Sequence, residues 1–366
     1  MKSVTRFEKY RYAYALLTIV CLMLSACVGA PESDSKTRAI TYASPKSKTQ
    51  TPSAKHSLAK PDELPKKVAV PFRTHGEHIF VSTDLEGRNA GLFLLDTGAA
   101  IDAIGMGIAG RFNLPETGSG TAMGIAGPEA FKFREVDSVE IGNIDLDRSK
   151  LAAINLTRFA KSMGVTINGV IGYSSLRAVP FTLDYPNNQL VFHRPTDFIA
   201  PTTASRHPLL VRRGLPLVKA EIENGKTIWL IVDSGADQEL TLPMSYLQRY
   251  PDIVSVPMSG AGQSAGVGGK IRNMRTWLKK MDILGVELVN VPVSFESSPT
   301  LQHNDKIVVG RIGHRLLENF SLTFDTSNRH IYADWQPNAR NELAITQTQH
   351  AQPSALSVKV KPQSRN

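Results

Sequence analysis

Cysteine is almost missing from the sequence: there are two in 366 residues, Cys21 and Cys27, both near the N-terminus. No disulfide framework can staple the body, which must stand on its hydrophobic core. Glycine and proline, 27 and 22 residues, are too few and too scattered for a collagen-like or wholly disordered chain, and 42% hydrophobic residues are enough for an ordinary globular core. Charge of one sign is missing where a polyanion partner would need it. The net +9 resolves into +3 over residues 1–26, +4 over 28–67 and +3 over 337–366, which leaves the body at −1. The folded part therefore offers no phosphate-tracking surface by count, and nucleic acid is not an expected partner. Clusters of Cys, His and carboxylates at metal-ligand spacing are lacking too. His75 and His78 stand without further ligands nearby, so they read as surface histidines and neither metal nor cofactor is expected.

What is present begins with an address. Lys2, Arg6, Lys9 and Arg11 precede an apolar run over residues 13–24, too short to span a bilayer comfortably. Leu24, Ser25, Ala26 and Cys27 follow. They resemble the lipobox of bacterial lipoproteins, and the resemblance implies removal of residues 1–26 and lipidation of Cys27. With Val28 rather than Asp next, it implies the outer membrane, facing the periplasm. Residues 27–67 are rich in Ser, Thr, Pro, Lys and Ala and read as a disordered tether; residues 337–366 read as a flexible basic tail.

Between these ends the sequence is written twice. An alternating run ends near Leu85, turns at Glu86-Gly87, and an apolar run then leads into Asp96-Thr97-Gly98-Ala99; the alternation of 217–223, the Asn224-Gly225 turn and another apolar run lead into Asp233-Ser234-Gly235-Ala236. The two aspartates are 137 residues apart. Gly124–Gly127 answers Gly266–Gly269 at 142, Gly169–Gly172 answers Gly310–Gly313 at 141, and Asp184 answers Asp325 at 141. Near-constant offsets mean a duplication. Short β-patterned runs cut by Gly and Pro make each copy mainly β, closed by a short helix near 174–178 and 314–318, with lobes over residues 68–200 and 201–336.

An aspartate set directly after an apolar run is carried to the end of a buried strand, where its charged form is disfavoured. Thr97 and Ser234 add hydroxyls able to donate and accept; Gly98 and Gly235 let another backbone come close. If the copies pack about a twofold axis, Asp96 and Asp233 meet, share one proton, and leave one general base and one general acid. Rival motifs carry less. Ser264 sits in a Gly-x-Ser-x-Gly string, but Val267-Gly268-Gly269 is a poor start for the helix a nucleophile elbow requires. Asp184 and Asp325 lack the following hydroxyl and glycine and read as turn residues.

With both Asp-Thr/Ser-Gly-Ala motifs, Val170-Ile171-Gly172 and Gly313 in place, residues 68–335 resemble the retropepsin-like aspartic peptidases, two lobes being fused in one chain. The resemblance implies a pepsin-like bilobed architecture of two β-barrel lobes related by pseudo-twofold symmetry, in a monomer that cuts protein or peptide substrates. It implies Asp96 and Asp233 as catalytic, supported by Thr97, Gly98, Ser234 and Gly235. It places Gly124, Gly127, Gly266 and Gly268 in two flaps over the substrate, and Asp237 where it would hold substrate backbone. Ala100 stands at the position matching Asp237, and the flaps lack the tyrosine of pepsin. Arg311 replaces an apolar residue, so the second lobe is expected either to be distorted or to turn Arg311 to solvent. A non-catalytic binding or scaffolding lipoprotein that keeps the fold is the rival expectation.

Overall fold

The computed structural model describes residues 19–22, 55–255, 260–302, 308–337 and 357–360. Cys27 and most of the expected signal, tether and tail lie outside them. The chain is mainly β, and the strands fall where apolar residues alternate or run together. His78–Leu85 and Arg88–Asp96 form a hairpin whose two turn residues, Glu86 and Gly87, both have positive φ (51° and 70°), the backbone a tight right-twisting hairpin needs. Leu215–Ile222 and Lys226–Val232 form the corresponding hairpin, turning through Gly225 at φ 69°.

Both halves then use one connection. Arg88–Asp96 runs parallel to Gly169–Gly172, which pairs antiparallel with Ala103–Gly105. Lys226–Val232 runs parallel to Val308–Ile312, which pairs antiparallel with Leu240–Pro243. The parallel neighbour delivers its closing glycine beside the aspartate loop: Gly172 lies in register with Asp96, and Asp233 N donates to Ile312 O at 3.0 Å. The glycine-rich stretches are hairpins, Glu116–Gly124 with Gly127–Glu135 and Gly260–Gly266 with Gly269–Ile283. Short helices at Tyr173–Leu176 and His314–Leu317 follow the closing glycines.

Beneath lies a six-stranded platform, three strands from each half, in the order Ser205–Arg212, His330–Trp335, Phe320–Asp325, Phe181–Asp184, Gln189–His193, Lys67–Pro71. At its centre Thr182 pairs with Thr323, its own counterpart at an offset of 141, hydroxyl to hydroxyl at 2.8 Å, and the rings of Phe181 and Phe324 stack at 4.5 Å. One hydrophobic cluster runs through the platform into both halves. Asp184 and Asp325 each accept hydrogen bonds from an asparagine three residues on, Asn187 and Asn328, as turn residues do.

Two boundaries need correction. The tether expected over 27–67 ends earlier, because from residue 55 the chain is packed: His56–Ser57 pairs with Ile144–Asp145, and Leu58 and Leu64 are buried. These two leucines stand alone among polar neighbours, too sparse for a composition argument to detect. The tail is not free throughout, since Ser357–Val360 adds to the edge of Val286–Glu296. Ile19–Leu22, inside the expected signal, pairs in parallel with Glu116–Gly124. No helix among the described residues is long and apolar enough to cross a membrane.

Candidate active site

Asp96 ends its strand and Asp233 follows its own, and both side chains are fully buried. Each carboxylate is braced by its own loop: Gly98 N donates to Asp96 Oδ1 at 2.8 Å, and Gly235 N to Asp233 Oδ1 at 3.1 Å. Each also lies against the other loop. A Cβ on Gly98 would overlap the Asp233 carboxyl, and one on Gly235 would overlap that of Asp96, so the motif glycines are required by close approach. The two carboxyl groups are within hydrogen-bonding reach of each other, and no protein N–H or hydroxyl reaches either Oδ2.

The hydroxyls between them cross over. Thr97 Oγ1 donates to Val232 O at 2.7 Å and accepts from Ser234 N at 3.0 Å. Ser234 Oγ donates to Leu95 O at 2.8 Å and accepts from Thr97 N at 3.0 Å. Every one of these four bonds joins the halves, and all are buried, so neither loop can turn without leaving polar groups unmet.

Burial drives the Asp96 carboxyl well above the ordinary carboxylate range, and the charge of Asp233 beside it pushes the same way. Burial also raises Asp233, but there the Arg311 guanidinium and the hydrogen bond from Asp96 pull back. Two carboxyls this close and this deeply buried disfavour carrying two negative charges at once.

Glycines close the frame. A Cβ on Gly172 would press on the carbonyls of Ala99 and Ile101, and one on Gly313 on those of Gln238 and Ala236, because the aspartate loops pass directly over these positions. In the first half Asp102 completes the clamp: its Oδ1 accepts Gly172 N at 2.8 Å and its Oδ2 accepts Ser175 Oγ at 2.7 Å.

The glycines expected in the flaps meet tip to tip. Gly124 lies under the carbonyl of Val267, too close for any side chain, and Gly268 packs on the backbone of Gly127. Val267 is buried in the apolar cluster of the first half, and Ser298 Oγ donates to Ile125 O at 2.8 Å. Gly266 sits at the hairpin end paired with Gly269. Asp237 is buried, and burial raises its carboxyl to about 8 against the opposing pull of Arg315 and Arg311. Ser264 is on a flap strand rather than at a strand-to-helix turn, and its Oγ donates to Glu296.

Two residues stand where the sequence did not suggest. His78, expected at the surface, is buried, hydrogen-bonds the Gly235 main chain, and is pushed down to about 4 by burial. The apolar neighbours Ile79, Phe80 and Val81 were the available signal. Arg311 does not face solvent: its strand pairs on both sides at this position, with a register shift between Trp229 and Leu230 just before it, and the side chain is fully buried, with Nη2 on Glu296 Oε2 at 2.8 Å and Nε 4.0 Å from Asp233 Oδ2.

Residues 81–175 match the family model described as aspartyl protease, a segment that carries Asp96-Thr97-Gly98 and Val170-Ile171-Gly172. The match supports an aspartyl protease family and suggests peptidase activity. No curated protein matches the chain.

Proposed function

We propose that the chain is an aspartic endopeptidase built from two lobes related by a pseudo-twofold axis, over residues 68–200 and 201–336, in which Asp96 and Asp233 jointly activate a water. The observation that carries the reading is the pair of fully buried carboxyls, each held by its own glycine N–H and set against the glycine of the other loop. A water between the two Oδ2 atoms gives one proton to the ionised carboxylate as it attacks a peptide carbonyl, and the protonated carboxyl gives its proton to the carbonyl oxygen. The tetrahedral intermediate collapses as a proton passes to the amide nitrogen, which leaves as the new amine. Substrate lies extended beneath the two flaps, whose tips must part to admit it, and Asp237 helps hold its backbone. Apolar residues on either side of the cut suit a body whose charge is near balance.

A non-catalytic scaffold would be favoured if Arg311 neutralised the pair. Its guanidinium is committed to Glu296 at 2.8 Å and reaches Asp233 only at 4.0 Å, which biases the pair without quenching it. We place the protein at the cell envelope as a monomer, anchored through lipid on Cys27; a Cys27→Ser chain should then fractionate as soluble periplasmic protein, and retention in the membrane would count against the anchor. The activity is tested with signal-free chain starting at Val28, incubated with a mixed peptide library from pH 3 to 8 and read by mass spectrometry. Cleavage that persists in Asp96→Asn or Asp233→Asn removes the proposal.

A further inference from the structure

A chain of buried polar side chains leads from Asp233 into the second flap. Arg311 Nε stands 4.0 Å from Asp233 Oδ2, and Arg311 Nη2 donates to Glu296 Oε2 at 2.8 Å. Glu296 Oε1 accepts Ser264 Oγ, and Ser264 Oγ in turn accepts Asn273 Nδ2 at 2.8 Å. Gln238 Nε2 lies 3.4 Å from the same hydroxyl and its Oε1 accepts Thr241 Oγ1 at 2.8 Å. Arg311, Glu296 and Ser264 are fully buried and Asn273 nearly so. Ser264 and Asn273 belong to the two strands of the second flap; Glu296 ends the strand Val286–Glu296; Arg311 lies on Val308–Ile312 beside the aspartate strand. The first half has a buried carboxylate of its own in Asp102, with Arg148 Nε at 3.4 Å, but the positions matching Arg311, Glu296, Ser264 and Asn273 are apolar and form one cluster.

Taking two charges out of water is expensive, and an apolar filling of similar volume is commonly as stable. An ion pair kept within reach of one carboxyl of a proton-sharing pair has an electrostatic consequence, because a cation about 4–6 Å from a carboxylate favours its ionised form. We infer that Arg311, oriented by Glu296 and tied through Ser264 to the second flap, is the positioning residue that makes Asp233 the ionised member of the pair and Asp96 the protonated one. The inference rests on the dyad reading above and deepens it by fixing which carboxyl is base and which is acid. The other groups facing the pair do not supply this asymmetry. His78, against Gly235, is neutral above about pH 4. Tyr185, whose phenol burial holds protonated, is neutral as well. Asp237 is anionic when charged and would oppose a second anion, while Arg315 acts on Asp237 and Glu239.

The test reads the carboxyls directly, in the full chain carrying ¹³Cγ-labelled aspartate titrated by NMR, with signals assigned from Asp96→Asn, Asp233→Asn and Asp237→Asn. The first ionisation of the pair is expected at Asp233. Arg311→Met should raise that step by about one pH unit or more, the range expected for losing an opposite charge this close. Arg311→Lys should keep most of the effect, and Ser264→Ala, which changes no charge, should leave the step in place. Should Arg311→Met fail to fold, Arg311→Met with Glu296→Met removes both charges together and should still raise the step, by less, because an anion that opposed ionisation goes as well. An unmoved step in Arg311→Met or, should that variant not fold, in the double variant, or a first ionisation at Asp96 in the native chain, overturns the inference. The acid limb of the kcat/KM profile on a cleaved library peptide should move with the NMR step. A titration that shifts in a protein without peptidase activity would instead sink the functional reading and leave the electrostatic one standing.

Discussion

Val170 and Arg311 occupy corresponding places in the two halves. Each lies on the strand parallel to an aspartate-bearing strand, opposite Leu94 in the first half and Ile231 in the second. Around Val170 the ladders bring Ala122, Phe131 and Ile154, which close into an apolar cluster. At the same ladder positions, 142 residues on, stand Ser264, Asn273 and Glu296, hydrogen-bonded around Arg311. The backbone is therefore indifferent to how this interior is filled, since hydrocarbon serves in one half and an ion pair with its hydrogen bonds in the other. The polar version is not needed to make the fold. What distinguishes it is its proximity to one of the two carboxyls.

The sharpest way to break the comparison is at the carboxyls, which both halves carry at the same place. Asp96→Asn and Asp233→Asn should each lower kcat/KM by at least about 10⁴-fold, and the double variant should be little worse than either, because groups acting as a unit do not add. If one single variant kept near-native turnover, the halves would be unequal in kind and the shared-proton scheme would fail.

Next in size is a transplant of the difference. Val170→Arg places a guanidinium among Ala122, Phe131 and Ile154 with no carboxylate to meet it, and should cost more than about 4 kcal/mol, seen as loss of the cooperative thermal transition. Arg311→Met with Glu296→Met moves the second half toward the first, and should leave stability within about 2 kcal/mol of native or raise it. A large loss from the double replacement would mean that the second half has come to depend on its ion pair.

Much of this architecture is legible in the residues themselves. The near-constant offsets carry the two copies, the apolar runs place both aspartates at strand ends, and the Gly-rich strings become hairpins, because each of these signals is local. The partners of Arg311 are not legible in that way. Glu296 is 15 residues away along the chain and Ser264 another 32, and only the ladders bring them together. A charge in an apolar element suggests solvent exposure when read alone; its burial depends on an acid whose approach cannot be seen locally. Asp102 escapes notice for a related reason. It follows the motif by six residues, at the position matching Glu239, and its role lies in bonds to Gly172, Ser174 and Ser175, about 70 residues downstream. His78 is hidden by its type, since histidine is found both inside and outside.

Asp237 and Ala100 give a subtler contrast at matching positions, 137 residues apart. Burial raises the Asp237 carboxyl to about 8, whereas in the unfolded chain an aspartate ionises near about 3.9. The folded protein thus keeps a proton that the unfolded chain has lost, and this contribution to stability is complete below about pH 4 and disappears as pH rises through about 8. Relative to Asp237→Asn, the native protein should lose on the order of a few kcal/mol across that window in denaturant titrations. Ala100, which carries no titratable group, predicts that Ala100→Ser leaves the pH dependence unchanged. Parallel stability curves for the native protein and Asp237→Asn would show that Asp237 ionises freely.

A finer comparison concerns the one motif residue that differs between the loops. Thr97 and Ser234 perform the same exchange of hydrogen bonds, each hydroxyl donating to a carbonyl and accepting from an amide of the other half. If the hydroxyl is what matters, Thr97→Ser, which makes the loops alike, should cost no more than the loss of one buried methyl, about 0.8 kcal/mol. Ser234→Ala removes fewer contacts by volume, yet it leaves Leu95 O without its donor and Thr97 N without its acceptor in a place water does not reach, a penalty of about 1–3 kcal/mol for each group so stranded. The ranking therefore runs against size. Thermal unfolding of the two variants side by side tests it. If Thr97→Ser proved the more damaging, the join between the halves would rest on packing of the threonine methyl, and the hydrogen bonds would be secondary.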